Sequence, residues 1–152
     1  MRPHHPPSLS IRPFQPADQA AVKKLILAGL VEHWGTLDTS KNPDLNDIAS
    51  SYANGVFLVA WQQERIAGTG AFLPRAGGTA EVVRMSVAAD MRRLGVGGTI
   101  LGELLRQAKA RGYNRIILET TETWSEVIEF YLSQGFQITH HLNGDVYFEL
   151  DL

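Results

Sequence analysis

The segment Arg92-Arg93-Leu94-Gly95-Val96-Gly97-Gly98 gathers residue types suited to holding an anion. Its glycines let backbone N–H groups come close to a phosphate, and its two arginines put positive charge beside them. It lies where a β-branched run, Thr79 to Val87, gives way to helical spacing from Val96 to Ala110. The first turn of a helix carries N–H groups unpaired within it and the positive end of the dipole, so an anion is favoured there. A flexible turn with a solvated arginine pair is the plainer reading of the same residues. Other chemistries fall away. The chain has no Gly-Lys-Ser or Gly-Lys-Thr triplet for a Walker loop, and a dinucleotide fingerprint would need a third glycine where Ile100 stands. Zinc-protease and Gly-x-Ser-x-Gly hydrolase motifs are absent.

The elements that must position this segment alternate along the chain. Ser10 to Phe14 reads as a short strand, and Asp18 caps a helix in which Val22, Leu25, Ile26, Gly29 and Leu30 recur at helical spacing. His33 to Leu45 has loop composition and is long enough to line a pocket; Asp44 or Asp47 then starts a short helix. Val56 to Trp61, Ile66 to Leu73 and Thr79 to Val87 predict an antiparallel meander. The helix from Val96 stops at Gly112, and Ile116 to Thr120 returns as a strand parallel to Thr79–Val87, as a crossover of that length requires. Thr123-Trp124-Ser125-Glu126 has capping-box spacing and opens a helix to Gln134. Phe136 to Leu142 and Val146 to Leu150 flank Asn143-Gly144, a strong hairpin signal.

Bulk properties bound what this fold can do. With 152 residues, 44% hydrophobic and 20% charged, the chain suits one soluble domain, expected over residues 10–152 behind a flexible tail of residues 1–9. A formal net charge of −2 offers no general pull toward nucleic acid or an anionic membrane, so an anion site must be local. The absence of cysteine excludes disulfides, thiolate metal sites and a cysteine nucleophile. His4-His5 reads as part of a frayed terminus, and the adjacent His140 and His141 point to opposite strand faces, so no metal is assigned. No signal-peptide core or bilayer-length apolar run is present, and a cytoplasmic location is expected.

Arg92-x-x-Gly95-x-Gly97 resembles the Arg/Gln-x-x-Gly-x-Gly/Ala signature of the GNAT superfamily of N-acetyltransferases. Ala80 to Val87 is similar to that family's fourth strand, Phe130 to Phe136 to its late helix and Gly-Phe, and Arg12-Pro13 with Asp18 to its opening. The resemblance covers nearly the whole chain. It implies an α/β fold: a central mixed, mostly antiparallel sheet, its parallel fourth and fifth strands splayed apart, flanked by about four helices. Acetyl-CoA would be the co-substrate, without a metal. Met85, Ser86 and Val87 would pair with its pantetheine arm, and Arg92, Arg93, Leu94, Gly95, Val96, Gly97, Gly98 and Thr99 would hold its pyrophosphate.

The same resemblance implies direct transfer in a ternary complex to a primary amine of a small molecule or peptide. An amine with a pKa of about 10.4 is mostly protonated at neutral pH, so a base is useful. Glu81 stands in the register of the family's glutamate base. The other reading is a strand-edge carboxylate paired with an arginine such as Arg84; Glu119 is the second candidate. Tyr131 matches the tyrosine that would protonate the leaving thiolate and contact the coenzyme, and as a plain residue it reads as a core aromatic beside Phe130 and Phe136. Trp124 and Val127 depart from the family's usual Asn and Ala before this tyrosine. Glu32, His33, Trp34, Asp38 and Asn42 are candidates for the acceptor rim, and a homodimer is expected by family habit. The alternative function is a coenzyme-binding sensor or interaction module without turnover.

Overall fold

The structure is a computed structural model that describes residues 8–38 and 40–152. His4-His5 and most of the expected tail lie outside the described residues. Strands Ser10–Pro13 (β1), Val56–Gln62 (β2), Arg65–Arg75 (β3), Thr79–Val87 (β4), Arg115–Thr121 (β5), Gln137–Leu142 (β6) and Asp145–Asp151 (β7) form one sheet, ordered β1-β2-β3-β4-β5-β7-β6. Neighbours are antiparallel except β4 and β5, which run parallel. Among the described residues the α-helices are Gln19–Trp34 (α1), Ile48–Ser51 (α2), Val96–Ala110 (α3) and Ser125–Ser133 (α4). None of them is long and apolar enough to cross a membrane. This is the mixed sheet with a parallel fourth and fifth strand that the resemblance implies.

Alternation along the central strands feeds two cores. On β2, Val56, Leu58 and Ala60 face the cluster built on Ile100, Leu101 and Leu104 of α3, while Phe57 and Val59 face Val22 and Ile26 of α1 and Ile48 of α2. A strand buried on both faces must be apolar throughout, which is why β2 reads as an unbroken run. Tyr131 of α4, Phe136, Val146 and Phe148 join the α3 cluster, so α3 and α4 share one face of the sheet. Half-buried Leu9 also packs against that cluster.

Local signals decide most boundaries. Asn143 and Gly144 both take positive φ, 52° and 84°, as a tight hairpin requires. Asp47 caps α2 by accepting from the Ser50 amide at 3.1 Å, and a 3-10 turn, Pro43–Asn46, precedes it. Two expected caps are not made. Asp18 precedes α1, but its carboxylate accepts from the Gln15 amide at 2.9 Å. The Thr123 capping box at α4 is also absent: the cap position is Trp124, with no side-chain bond. The Thr123 hydroxyl instead shares hydrogen bonds with His33 Nε2 (3.2 Å) and the Thr121 hydroxyl (3.3 Å). Helix α1 also runs beyond its expected end, through His33 and Trp34 to a left-handed Gly35 at φ 78°.

Candidate functional site

The parallel pair meets only briefly. Thr79, Ala80 and Glu81 stand opposite Arg115, Ile116 and Ile117, and there the β4–β5 pairing ends. Beyond it, β4 pairs only with β3 and β5 only with β7, so the facing edges of Val82–Val87 and Leu118–Thr121 are open to each other. Within the open stretch β4 carries a bulge: Thr69 pairs with Ser86 but Ala71 with Val83, which leaves Arg84 and Met85 opposite Gly70. Gly70 is needed because a Cβ there would lie 2.6 Å from both Met85 Sδ and Ile100 Cγ2. The extra residue switches the parity of the strand. Ala80 and Val82 face the α3 core, Val83 the α1 core, and Met85 and Val87 the α3 core again. Ala88 donates its amide to the Ala67 carbonyl at 2.8 Å, so alternation turns the Val87 amide away from β3 and toward the splay.

Helix α3 begins at the open end of the splay. Thr99 makes the first helical bond, to the Gly95 carbonyl at 3.0 Å, which leaves the amides of Val96, Gly97 and Gly98 without a partner inside the helix. The Thr99 hydroxyl donates to the same carbonyl at 2.9 Å. Gly95 at φ 84° and Arg93 at φ 63° form the sharp entry. A Cβ on Gly97 would sit 3.5 Å from Phe130 and 3.7 Å from Val87, so the helix start, the end of β4 and α4 converge at this glycine. The two arginines have protein partners. Arg92 donates twice to Glu32 of α1, at 2.6 and 3.0 Å, and Arg93 donates to Glu126 of α4 at 2.9 Å. The Arg92 bonds, with its charge, hold the Glu32 carboxyl below its usual range.

The acid–base candidates lie toward the closed end. Six steps of extended strand separate Glu81 from Val87, roughly 20 Å at ~3.3 Å each. Glu81 and Glu119 line one cleft of about 440 Å³ with Thr139, His140, Tyr147 and Glu149. The expected Glu81–Arg84 pairing is not made. Glu81 accepts from Arg75 Nε at 2.8 Å, because side chains near the hairpin between β3 and β4 meet across the ladder, whereas Arg84 lies beyond on the bulge. Glu119 faces Tyr147 across the β5–β7 ladder, and hydrogen bonding to that carboxylate, with burial, raises the Tyr147 phenol. Tyr131 is 6% exposed, its ring 5.1 Å from Phe130 and 5.7 Å from Phe136 and Phe148. Burial pushes its phenol above the usual range, so it stays protonated at neutral pH. Among the described residues no group of three metal-ligating side chains converges.

Two constellations escaped the sequence reading. The first joins Arg84 to Asp44 in a fork of 2.6 and 2.9 Å, with Asn42 at 3.1 Å and the Tyr52 hydroxyl donating to Asp44 at 2.7 Å. Burial alone would raise the Asp44 carboxyl; the bonds from Arg84 and Tyr52 and the charge of Arg84 overcome it and leave it lowered. Asn42, a candidate for the acceptor rim, is thus engaged by the bulge. Asp38, another, accepts from the amide and hydroxyl of Ser40 at 3.0 and 2.6 Å. The second is the stack of His33 on Trp124, 4.2 Å between centroids at 11°, which ties the end of α1 to the segment between β5 and α4. An arginine within an apolar strand was the one sequence sign of the first; nothing local announced the second.

Known proteins share this arrangement. An acetyltransferase of the GNAT family from Staphylococcus aureus Mu50 superposes with a TM-score of 0.88 at 20% identity, covering 95% of this chain and 99% of that one. The PaiA N-acetyltransferase of Thermoplasma acidophilum, solved in complex with coenzyme A, gives 0.84 at 20% identity with the same coverage. In sequence, rat N-acetyltransferase 8F1 is 31% identical over 108 residues, 66% of this chain and 49% of that protein. The IAA acetyltransferase of Azospirillum brasilense is 29% identical over 132 residues, 86% of this chain and 85% of its own. The chain spans about half the length of the animal N-acetyltransferases it matches. The model of the Acetyltransferase (GNAT) family matches residues 21–136, and with the splayed parallel pair and the glycine-rich start of α3 this makes the chain a member of that family.

Proposed function

We propose that the chain is an acetyl-CoA-dependent N-acetyltransferase that moves an acetyl group directly to a primary amine of a small molecule or peptide in a ternary complex. The observation that carries this reading is the early end of the β4–β5 pairing with the α3 N-terminus at its open mouth. An open strand edge suits an arm that carries amides, and unpaired helix amides beside two arginines suit a diphosphate. The residues fit the group: the Val87 amide and the Met85–Val87 edge would pair with the arm, and Arg92 to Thr99 would hold the phosphates.

Bound acetyl-CoA supplies a thioester carbonyl open to attack. Everything else falls to the chain. Glu81 would take the proton of the incoming ammonium, directly or through a water, in a cleft whose carboxylates suit a cationic acceptor. An amide on the splayed edge would donate to the carbonyl oxygen as negative charge develops there. Tyr131, protonated at working pH, would donate its proton toward the sulfur as the carbon–sulfur bond breaks. The slight net charge of −2 agrees with a small acceptor rather than nucleic acid. A homodimer belongs to this reading through the resemblance alone, and a cytoplasmic location through the sequence expectation.

Calorimetry with acetyl-CoA, followed by thiol release with polyamines, amino acids, aminoglycosides and peptide N-termini, tests it. Binding together with amine-dependent thiol release is expected. Binding without turnover on any amine would favour the sensor reading, and absence of binding would remove the proposal.

A further inference from the structure

Arg84 occupies a backbone conformation that its side chain does nothing to favour. Its φ of 55° lies in the left-handed region, which disfavours a residue with a Cβ unless its surroundings hold it. Here both ends are held. The Arg84 carbonyl accepts from the fully buried Thr69 hydroxyl at 2.8 Å. The guanidinium forks onto Asp44 and reaches Asn42, and Asp44 is fixed in turn by Tyr52, whose ring packs with Leu45 and Ile48 in the α1 core. The Arg84 and Asp44 side chains are 19% and 28% exposed, so solvent screens this pair less than a surface pair.

The bulge has one geometric consequence that matters for the site. Because it inserts a residue, everything C-terminal to it on β4 is turned over. Without it, Val87 would point toward α1 and its amide toward β3, and the splayed edge would offer the opposite set of backbone groups. A bulge bearing glycine would keep its shape without help; a bulge bearing arginine keeps it only while the anchor holds. The anchor's other end lies in the segment between α1 and α2, which the sequence reading placed on the acceptor side.

We propose that Arg84 is a positioning residue: its side chain, gripped by Asp44 and Asn42, locks the β4 bulge in the register that turns the Val87 amide into the splay for the coenzyme's arm. This rests on the proposed function, since it takes the coenzyme to lie along that edge.

Residue-resolved amide hydrogen exchange with and without coenzyme A tests it. In the wild-type chain the coenzyme slows exchange at Val87 and at Gly97 and Gly98. In Arg84→Ala, which keeps the Cβ that disfavours the left-handed backbone but lacks the anchor, slowing at Val87 falls by about tenfold while slowing at Gly97 and Gly98 persists, and Arg84→Gly, free of that cost, restores it. Arg84→Lys, which keeps the charge but not the fork, gives an intermediate loss. A core variant away from the splay, Val22→Ala, lowers thermal stability without changing the ratio of slowing at Val87 to that at Gly97. Should Arg84→Ala fail to fold, Asp44→Asn replaces it, with the same selective loss at Val87 expected. Equal slowing at Val87 in wild type and variant overturns the anchor alone. Slowing at Gly97 and Gly98 but never at Val87, even in wild type, overturns it too and leaves the phosphate seat standing. No slowing anywhere overturns the proposed function with it.

Discussion

The Arg92 guanidinium holds both oxygens of the Glu32 carboxylate, so the last turn of α1 is tied to the loop that leads into α3. The proposed function asks the same guanidinium to meet a diphosphate. Two anions then compete for one cation, and the carboxylate has the lesser charge. Glu32→Gln is expected to tighten coenzyme A binding about two- to fivefold at low salt, an advantage that shrinks as salt rises. Titration calorimetry at two ionic strengths measures this; weaker binding in the variant would mean that Glu32 orients Arg92 rather than competing for it.

Tyr131→Phe separates chemistry from binding. The ring stays in its aromatic cluster while the proton donor is lost, so coenzyme A affinity holds and kcat falls by about 10²-fold or more. The same variant has a signature in stability. Burial raises the Tyr131 phenol above its unfolded value of about 10, so the stabilisation from keeping it neutral is whole below pH about 10 and is lost as pH rises through the folded value. Wild type should therefore lose thermal stability more steeply than Tyr131→Phe above pH about 10. Parallel slopes, or equal turnover at saturating amine, would remove the corresponding role.

Gly95 enters α3 at φ 84°, where alanine is strained by about 1–2 kcal/mol. For a chain of this size Gly95→Ala should lower Tm by about 3–6 °C. If the start of α3 seats phosphates, coenzyme A affinity drops as well, because the Val96–Gly98 amides shift together. Melting and calorimetry on one preparation give both numbers, and an unchanged affinity would argue against the seat.

Tyr52→Phe removes the hydroxyl that donates to Asp44 and leaves the ring against Phe57. A loss of about 1 kcal/mol is expected, a few degrees in Tm. The Asp44 carboxyl is lowered in the folded chain, so the stability it contributes is present above its unfolded value of about 3.9 and lost as pH falls through the folded one. With one donor gone the variant should show a smaller loss on acidification than wild type. A steeper loss would contradict the network.

Much of the fold was legible because its signals are local. The strand Thr79–Val87 and the helix Val96–Ala110 have the bounds their sequence predicts, since β-branched runs and helical spacing act within a few residues. Asn143-Gly144 turned where its residue types require positive φ. The boundaries that moved did so for distant partners. Helix α1 continued to Trp34, where His33 meets Trp124 and Thr123, and that engagement took the hydroxyl expected to cap α4.

By itself, then, the sequence determined the order of elements, the antiparallel meander, the parallel return after α3 and the glycine-rich start of that helix, all of which follow from periodicity, turn chemistry and connection length. It also carried the family resemblance, because those motifs are contiguous. Only the tertiary structure decided where the β4–β5 pairing stops, that the bulge falls at Arg84 and Met85, and which carboxylate each arginine meets: Asp44 for Arg84, Glu32 for Arg92, Glu126 for Arg93, Arg75 being the one that takes Glu81. The physical reason is that β4 mixes Glu81, Arg84 and Ser86 with its apolar residues and sets the adjacent Val82 and Val83 against opposite cores. Two adjacent valines fit an unbroken strand with a core on each side as well as one with an inserted residue, and ion pairs between residues 33 to 60 positions apart leave no mark on local spacing.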